Sequence, residues 1–542
     1  MKYILVFLVL VIIKQSYSQC NSTNDEMLLI GDSWAFFSWS GDSYNENFDR
    51  FGLSDINCYS TSGLAVNGAE ASDYFDDPAR KQELIDYITT NPNLKIVHLS
   101  LGGNDAMGNW NKTMTSQQED AILSVIMNDI KAIIDTIWFY NPNLDIHISG
   151  YDYPNFEETI GGFLIPSLHP FYGTWNNMGQ PTNAEINGIL SKASQAFADS
   201  AAAWDKVTFV NNLGLMQWNY GQTSPLTVAP YGTYQPFTAP VPGGYPDYPS
   251  PLDALNFGGN DSFHLNNNAY ELFIKRHFEQ FYWDYFRPKD TTFKADNSTN
   301  NGWTTLTNFN NDKLQVGNDA SSNQVQAILS FDTHLIPNDK NAAAASIFIK
   351  RTSLMGSNLQ PENLMVSITS SNFGDNIGLD TNDFNDFGEA SAICCTYGTV
   401  DQDGFWMRID LDPILLPYIN RWATTQIKLV YNIADTDRYF EFSNDINDIQ
   451  LDVTYQTAPL SVNEVESNTD ISIYPNPAND EVTITNVKPN TQVTIFDLNG
   501  KAISQEILNV NQSLSINYLQ SGIYFIRIKT EKGIVVKKLV KE

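Results

Sequence analysis

Residues 27–286 alternate short apolar runs with helical patterns, and this alternation limits the fold more than any other feature of the chain. The short runs have the composition of buried strands, whereas the longer segments repeat apolar residues every three to four positions. Strands alternating with helices form a parallel sheet with helices on both faces, and functional loops lie beyond the carboxyl ends of its strands. The predicted strands lie at residues 27–30, 56–59, 95–101, 145–149 and 206–210, and the longest predicted helices at residues 122–137, 183–204 and 267–285.

The rest of the chain has a different pattern. Residues 289–457 contain short alternating strands rich in Asn, Asp and Thr without long helices, which is typical of an antiparallel β-sandwich. Residues 470–542 form a further strand-and-turn unit, in which Asn499-Gly500 predicts a hairpin turn. We therefore predict an α/β domain over residues 19–288, a β-sandwich over 289–457, a linker over 458–469 and a small β domain over 470–542.

The N-terminus has the pattern of a cleaved signal peptide. Lys2 precedes an apolar run at residues 3–13 that is too short to span a bilayer, and small residues follow it up to Ser18. The predicted signal peptide covers residues 1–18. A lipoprotein anchored through Cys20 is the alternative, although Gln19 fits a lipid-attachment motif poorly. No later segment has the unbroken apolar run of a membrane helix, so we predict a secreted or cell-surface protein without a transmembrane segment.

The charge and the cysteines argue against several classes of partner and cofactor. The formal net charge is −31, and a surface this acidic repels nucleic acid and anionic lipid. The sequence contains no Cys-x-x-Cys spacing, so no zinc site, other metal or cofactor is predicted. Cys20 and Cys58 form a candidate disulfide, whereas the adjacent Cys394 and Cys395 are not expected to pair with each other. The acidic run at residues 380–386 could hold calcium, but it lacks a recognised loop spacing.

A serine with a histidine partner is the first candidate for chemistry. Ser33 follows the first predicted strand, where a serine is exposed and its N–H lies at a helix N-terminus. A serine nucleophile needs a general base, and the base needs an orienting group. His264 lies in a loop before the last helix, and one tight turn could bring the carboxylate of Asp261 to its ring. His98 and His147 fall within predicted strands and are expected to be buried structural residues.

Two glycine-containing segments follow the second and third strands. Gly102 and Gly103 permit a close approach of the backbone and would let Asn104 point its amide into the same cleft. An amide N–H is what a developing oxyanion needs. The segment after the second strand contains Gly63 and Gly68, and a glycine there could offer another backbone N–H.

These segments, in this order, resemble the sequence blocks of the SGNH (GDSL-like) hydrolase family. Residues 31–33 (Gly-Asp-Ser) match its first block, residues 102–105 (Gly-Gly-Asn-Asp) its Gly-x-Asn-Asp block, and residues 261–264 (Asp-Ser-Phe-His) its Asp-x-x-His block. For the remaining block, residues 67–71 with Gly68 align best, and Gly63 is the alternative.

The resemblance covers residues up to about 285 and implies a flavodoxin-like three-layer fold and ester hydrolysis through an acyl-enzyme. By this resemblance Ser33 attacks the ester, His264 moves the proton and Asp261 orients the imidazole. The N–H groups of Ser33 and Gly68 and the amide of Asn104 would hold the oxyanion.

Two further resemblances concern the β-rich part of the chain. The strands at residues 314–318, 327–332 and 449–455 resemble sandwich modules attached to bacterial polysaccharide enzymes. Residues 470–542 resemble the C-terminal sorting domain of the Bacteroidetes type IX secretion system in their Tyr-Pro-Asn-Pro, Asp-Leu-Asn-Gly-Lys and Leu-Gln-Ser-Gly-Ile-Tyr-Phe motifs. This second resemblance implies export by that system, with the secretion machinery as a partner.

Together these observations predict a secreted serine esterase that acts on a carbohydrate ester, either a small molecule or a polysaccharide. The preference for carbohydrate depends on the attached sandwich and on an aromatic-rich insertion at residues 217–251, which are architectural associations. The alternatives are a lipid esterase or thioesterase that uses the same site, and a non-catalytic sugar-binding surface protein. The complete set of Ser, Gly, Asn and His blocks argues against the last of these.

Overall fold

A computed structural model describes residues 23–221, 226–228, 232–234, 244–296, 298–355, 364–374, 376–398, 403–431, 438–457, 471–489, 491–497, 501–508, 511–530 and 533–542. The predicted signal peptide, Cys20, the predicted linker, the Asn499-Gly500 turn and residues 222–225, 229–231 and 235–243 of the aromatic insertion lie outside these residues. The chain divides into two compact units, one up to residue 456 and the other from residue 457.

Five parallel strands form the predicted sheet of the first unit, in the order β2-β1-β3-β4-β5. Every residue of the central strand β3 is buried, as expected for a strand covered on both faces. This strand order is that of flavodoxin-like folds, so the predicted fold class is confirmed. The strands are β1 (Asn24–Gly31), β2 (Ile56–Tyr59), β3 (Ile96–Ser100), β4 (Asp145–Ser149) and β5 (Val207–Val210).

Helices pack on the two faces of this sheet and enclose two separate apolar cores. The two longest helices begin at capping boxes, in which Thr115 pairs with Gln118 and Thr182 with Glu185. The main helices are α1 (Ser33–Ser40), α2 (Ser43–Arg50), α3 (Pro78–Thr90), α4 (Gly103–Asn109), α5 (Ser116–Tyr140), α6 (Phe156–Gly161), α7 (Tyr172–Asn177), α8 (Asn183–Ala203) and α9 (Asn267–His277). Short helical turns lie at Asp73–Asp76, Pro166–Leu168, Gln217–Gly221, Leu252–Ala254 and Asn256–Gly259, and α9 continues through a π-helical turn at Phe278–Tyr282 and a last turn at Trp283–Tyr285.

The strand histidines are structural, as predicted. His98 and His147 are completely buried between the sheet and α9. The Nε2 atom of His147 is 2.8 Å from the Nδ1 atom of His277, and the Nδ1 atom of His98 is 2.6 Å from the hydroxyl of Tyr282. Burial lowers the pKa of all three imidazoles, so they are neutral groups of the core.

The predicted β-sandwich follows α9 and belongs to the same compact unit. Its antiparallel strands surround one apolar core. The strands are β8 (Thr291–Lys294), β9 (Gly302–Thr304), β10 (Phe309–Asn310), β11 (Leu314–Asn318), β12 (Gln324–Asp332), β13 (Lys340–Met355), β14 (Leu364–Thr369), β15 (Ala390–Ile393), β16 (Cys395–Tyr397), β17 (Trp406–Asp410), β18 (Thr424–Tyr431), β19 (Arg438–Phe442) and β20 (Ile449–Thr457), after a small pair β6 (Leu226–Val228) and β7 (Gly232–Tyr234).

A buried ion pair joins the α/β part to the sandwich. The guanidinium of Arg287 binds the carboxylate of Asp452 at 2.7 Å, and both side chains are almost fully buried. Arg287 also lies between the rings of Trp283 and Phe348, and Trp283 contacts Trp406 of the sandwich at 4.5 Å between ring centroids. Replacing either partner alone would leave the other charge buried and unpaired, at a cost of about 3–5 kcal/mol.

The second unit contains two small antiparallel sheets around its own apolar core. One sheet has the order β21-β22-β25 and the other β24-β23-β26-β27. The strands are β21 (Ile473–Tyr474), β22 (Glu481–Ile484), β23 (Gln492–Phe496), β24 (Ala502–Ile507), β25 (Ser513–Ser515), β26 (Gly522–Thr530) and β27 (Gly533–Lys541).

The cysteines correct one expectation and confirm another. Cys58 is a free, buried thiol, so the candidate disulfide between Cys20 and Cys58 is wrong. Cys58 lies inside β2 with its side chain in the apolar core. Cys394 is free while Cys395 is disulfide-bonded, so these neighbours do not pair with each other, as predicted.

None of the helices among the described residues has both the length and the hydropathy needed to cross a bilayer.

Candidate active site

Ser33 lies where β1 ends and α1 begins, at the carboxyl edge of the sheet. Asp32 is the N-cap of α1, and its Oδ1 atom accepts the N–H of Trp34 at 2.9 Å. Ser33 is the first residue of the helix, so its N–H has no helical acceptor, and none lies among the other described residues. The turn therefore presents a hydroxyl and a backbone donor side by side.

Ser33, His264 and Asp261 lie in one hydrogen-bonded row. The Nε2 atom of His264 is 2.9 Å from Ser33 Oγ, and its Nδ1 atom is 2.9 Å from Asp261 Oδ2. Asp261 is buried, and its Oδ1 atom accepts the backbone N–H groups of Phe263 and His264. Because an ionised carboxylate only accepts hydrogen bonds, it selects the Nδ1–H tautomer and leaves Nε2 free to accept the hydroxyl proton of Ser33.

The segment between β4 and α8 supports the loop that carries His264. The carbonyl of Ser262 accepts the N–H of Asn155 at 2.7 Å, and the hydroxyl of Ser262 is 2.9 Å from that of Thr159. The Nε2 atom of His169 is 2.9 Å from the carbonyl oxygen of Asn260. These contacts hold the imidazole against the end of β1.

Asn104 and Asp105 at the start of α4 bind the turn that contains Gly68. The Nδ2 atom of Asn104 donates to the carbonyl of Ala69 at 3.0 Å, which leaves its second amide hydrogen available. The buried carboxylate of Asp105 accepts the N–H of Ala71 at 3.1 Å. Gly68 is exposed with φ of +78°, and no acceptor for its N–H lies among the described residues. The N–H of Gly63, by contrast, donates to the hydroxyl of Thr61. No other hydrogen bond among the described residues involves the backbone of Gly63.

Gly102 lets this segment approach α5. Its φ is +106°, and a Cβ atom there would lie 2.9 Å from Ile126 Cγ2. A side chain at this position would therefore displace the start of α4, including Asn104.

Tyr151 connects the Gly-Asp-Ser block with the Gly-x-Asn-Asp block, a role that was not predicted from the sequence. Its hydroxyl donates to Asp32 Oδ2 at 2.5 Å and accepts the N–H of Gly103 at 2.9 Å. Burial raises the pKa of Asp32 to about 7, although the hydrogen bond from Tyr151 opposes that rise. Its position two residues after β4, at the carboxyl edge of the sheet, was the only signal for it in the sequence.

The raised pKa of Asp32 predicts a stability effect that depends on pH. The folded-state pKa of about 7 exceeds the ordinary value of 3.8. The contribution of protonated Asp32 to the free energy of unfolding is therefore fully present below about pH 4 and is lost as the pH rises to about 7. We expect the free energy of unfolding of the wild type to fall relative to that of Asp32→Asn by about 1.4 kcal/mol per pH unit in this window. Urea denaturation of both proteins across the window measures the difference, and a difference independent of pH would contradict the prediction.

A pocket with about 620 Å³ of empty volume, part of it open to solvent, lies beside Ser33. Most of its walls are apolar, and one wall is a stripe along α8 that the sequence pattern alone does not distinguish from core. Its lining includes Ser33, Asn104, Met107, Trp110, Tyr151, Asp152, Met178, Ile186, Ile189, Leu190, Ala193 and Phe263.

The acidic run at residues 380–386 lies against a side-chain cation. The ammonium of Lys428 is completely buried and donates to the carbonyl oxygens of Asp383 and Asp386. Among the described residues, no group of three or more His, Cys, Asp or Glu side chains is arranged to hold a metal ion.

Two family models match the chain. Residues 27–276 match the GDSL-like Lipase/Acylhydrolase family, and residues 472–542 match the secretion system C-terminal sorting domain. No curated protein matches the chain in sequence.

Several solved structures are similar to part of the chain. A carbohydrate esterase of family 3 from Talaromyces cellulolyticus has 13% identity and a TM-score of 0.25, over 47% of this chain and 97% of its own. An extracellular lipase from Streptomyces rimosus has 15% identity and a TM-score of 0.25, over 47% and 99%. A carbohydrate acetylesterase from Sinorhizobium meliloti has 12% identity and a TM-score of 0.29, over 47% and 98%.

The chain is thus a hydrolase of ester bonds that carries a domain for its own export. Its residues 27–276 form a GDSL-like lipase/acylhydrolase domain, as the sequence blocks predicted, and its C-terminal domain indicates type IX secretion.

Proposed function

We propose that this protein hydrolyses carboxylic esters through an acyl-enzyme, with Ser33 as nucleophile, His264 as general base and acid, and Asp261 as the orienting carboxylate. The observation that carries the proposal is the continuous row of hydrogen bonds from Ser33 Oγ through the imidazole to buried Asp261. Such a row activates a hydroxyl that is otherwise a weak nucleophile at neutral pH.

Each step follows from the atoms in this row. His264 Nε2 takes the proton of Ser33 as Oγ bonds to the ester carbonyl carbon, and Asp261 stabilises the imidazolium that forms. The imidazolium then gives its proton to the leaving alcohol as the carbon–oxygen bond breaks. A water molecule, deprotonated by His264, then attacks the acyl carbon. The carbon–Oγ bond breaks, the imidazolium returns the proton to Ser33 Oγ, and the acid is released.

The Ser33 N–H, the Gly68 N–H and the amide of Asn104 are the proposed oxyanion donors. Two observations support this assignment. Neither backbone N–H has an acceptor among the described residues. The amide of Asn104 donates one hydrogen to the carbonyl of Ala69, which fixes its position and leaves the other hydrogen for the oxyanion. Donors fixed before the reaction stabilise the developing charge without reorganising.

Replacing Asn104 by Ala should therefore lower kcat by about 10²- to 10³-fold, as the loss of one oxyanion donor does. KM should change much less, because the interaction forms mainly in the transition state. Steady-state kinetics on a soluble aryl ester measure both constants. A change confined to KM would make Asn104 a residue of ground-state binding instead.

The test of the acyl-enzyme is a burst experiment. Rapid mixing of the purified protein with an activated aryl ester should release a burst of alcohol that matches the enzyme concentration, provided that deacylation is the slower step. Mass spectrometry of the quenched reaction should then find the acyl group on the peptide that contains Ser33. Ester hydrolysis with the acyl group on another residue, or no hydrolysis of any ester, would refute the proposal.

A carbohydrate is the proposed alcohol part of the substrate. The rings of Phe37 and Phe171 lie 5.0 and 5.9 Å from the imidazole of His264, where the leaving alcohol must be protonated. We propose that the sandwich at residues 289–457 binds glycan or acts as a spacer. A buried ion pair connects it to the α/β domain at residues 19–288. A panel of acylated glycans compared with lipid esters of the same acyl group tests this preference.

A lipid esterase or thioesterase is the second candidate, and the apolar pocket beside Ser33 favours it. The two candidates differ in the alcohol or thiol part of the substrate, so the same panel separates them.

The proposal also covers export. The protein is exported after residues 1–18 have been removed. Residues 470–542 act as the sorting domain, and residues 458–469 form the linker that precedes it.

A further inference from the structure

We propose that the pocket beside Ser33 binds the acyl group of the ester and selects acyl chains longer than acetyl. This inference rests on the serine esterase function proposed above. The pocket lies directly beside Ser33, and its lining is mostly apolar with a few polar groups, as is typical of small-molecule sites. The pocket begins at Ser33 and Asn104, where the ester carbonyl would be held.

Most of the lining of the pocket is apolar. One wall is a single face of α8, with residues at positions i, i+3, i+4 and i+7 of the helix: Ile186, Ile189, Leu190 and Ala193. Met107 of α4 lines the pocket as well, and the deeply buried Trp110 and Met178 limit its depth. An alkyl chain that enters this space leaves water for a hydrocarbon surface.

Apart from Ser33 and Asn104 at its mouth, the polar side chains of the lining accept or donate hydrogen bonds within the protein. The carboxylate of Asp152 accepts the N–H groups of Tyr153, Gly214 and Met216. The hydroxyl of Tyr151 is shared between Asp32 and Gly103. A sugar hydroxyl in the pocket would lose its water without a comparable replacement, so the pocket suits an alkyl chain rather than a glycan.

The position of His264 assigns the pocket to the acyl side of the ester. The imidazole must protonate the leaving oxygen, so the alcohol lies on its side of Ser33. His264 itself is absent from the described lining, where its neighbour Phe263 is present, whereas most of the lining comes from α4, α8 and the segments that follow β1 and β4. The substituent that enters the pocket therefore stays on the carbonyl carbon when the alcohol leaves.

The experiment compares aryl esters of acetate, butyrate, hexanoate and octanoate with one leaving group. We expect kcat/KM to rise about fourfold per added methylene, or about 10²-fold from acetate to hexanoate, as burial of methylene groups predicts. A second series keeps the acetyl group and lengthens an alkyl alcohol, and it should show no comparable rise. A preference for acetate in the first series, or a rise only in the second, would overturn the assignment.

Variants of two walls test whether this pocket is the cause. Leu190→Trp and Met107→Trp place a large ring in the pocket from positions that are only partly buried, so the fold should tolerate them. Each should lower the hexanoate-to-acetate ratio of kcat/KM by about tenfold or more. Gln195→Trp is the matched control, because it adds the same ring to an exposed position of α8 outside the pocket lining. It should keep the wild-type ratio.

The outcomes separate this inference from the proposed function. If acetate is hydrolysed with acylation of Ser33 but longer chains react more slowly, the proposed function stands and the pocket assignment fails. An unchanged chain-length ratio in both folded wall variants also overturns the assignment. If no ester is hydrolysed, or if hydrolysis bypasses Ser33, the proposed function itself fails.

Discussion

Ser33→Ala should lower kcat on any ester by about 10⁴-fold or more while leaving the protein folded. The substitution removes the Oγ atom that forms the acyl-enzyme and that lies 2.9 Å from His264 Nε2. It keeps the backbone N–H and the N-cap Asp32, so the start of α1 should persist. The hydrolysis rate that remains should come from substrate binding and from the oxyanion donors alone.

Ser40→Ala is the control for this substitution. Ser40 ends the same helix and is exposed, and its hydroxyl contacts only the carbonyl of Phe37 at 3.4 Å within the described structure. It should keep wild-type turnover. Circular dichroism and urea denaturation of both variants establish that they are folded. Near-normal turnover by folded Ser33→Ala protein would show that another group is the nucleophile.

The parallel sheet could be predicted from sequence because short segments rich in apolar residues alternate with segments of helical periodicity. The predicted segment at residues 56–59 coincides with β2 (Ile56–Tyr59), and that at 145–149 with β4 (Asp145–Ser149). In a parallel sheet each run must be apolar on both faces, so the pattern is clear even in one sequence. The strand order brings the ends of β1 and β3 together, which is why Ser33 and Asn104 could be predicted to share a cleft.

Other features depend on contacts that sequence patterns do not record. The helix predicted at residues 267–285 contains a π-helical turn at Phe278–Tyr282, because packing rather than periodicity decides the hydrogen bonds there. Tyr151 binds Asp32 across 119 positions of sequence, and a lone tyrosine after a strand gives no hint of that partner. The stripe on α8 has the spacing of ordinary core residues, and only the structure shows that it lines a pocket.

Removing residues 470–542 should abolish export while leaving ester hydrolysis intact. The family match at residues 472–542 identifies the sorting domain. That domain has its own apolar core and forms a separate compact unit from the one that contains Ser33 and His264. Its loss therefore removes no residue of the candidate site, and the kcat of the purified truncated protein should match that of the full chain.

The Ser33→Ala chain supplies the reciprocal control for this truncation. A signal peptide brings a chain across the inner membrane only. The truncated enzyme should therefore accumulate in the periplasm as active protein. The full-length Ser33→Ala protein, by contrast, should reach the medium or cell surface without activity. Fractionation of a native host that expresses each form, with an antibody against the sandwich and an ester assay on each fraction, measures both results. Normal amounts of truncated enzyme in the medium would contradict the sorting role. A truncated protein that stays folded but inactive would contradict the independence of the two units, because a folded unit up to residue 456 retains all the groups proposed for the reaction.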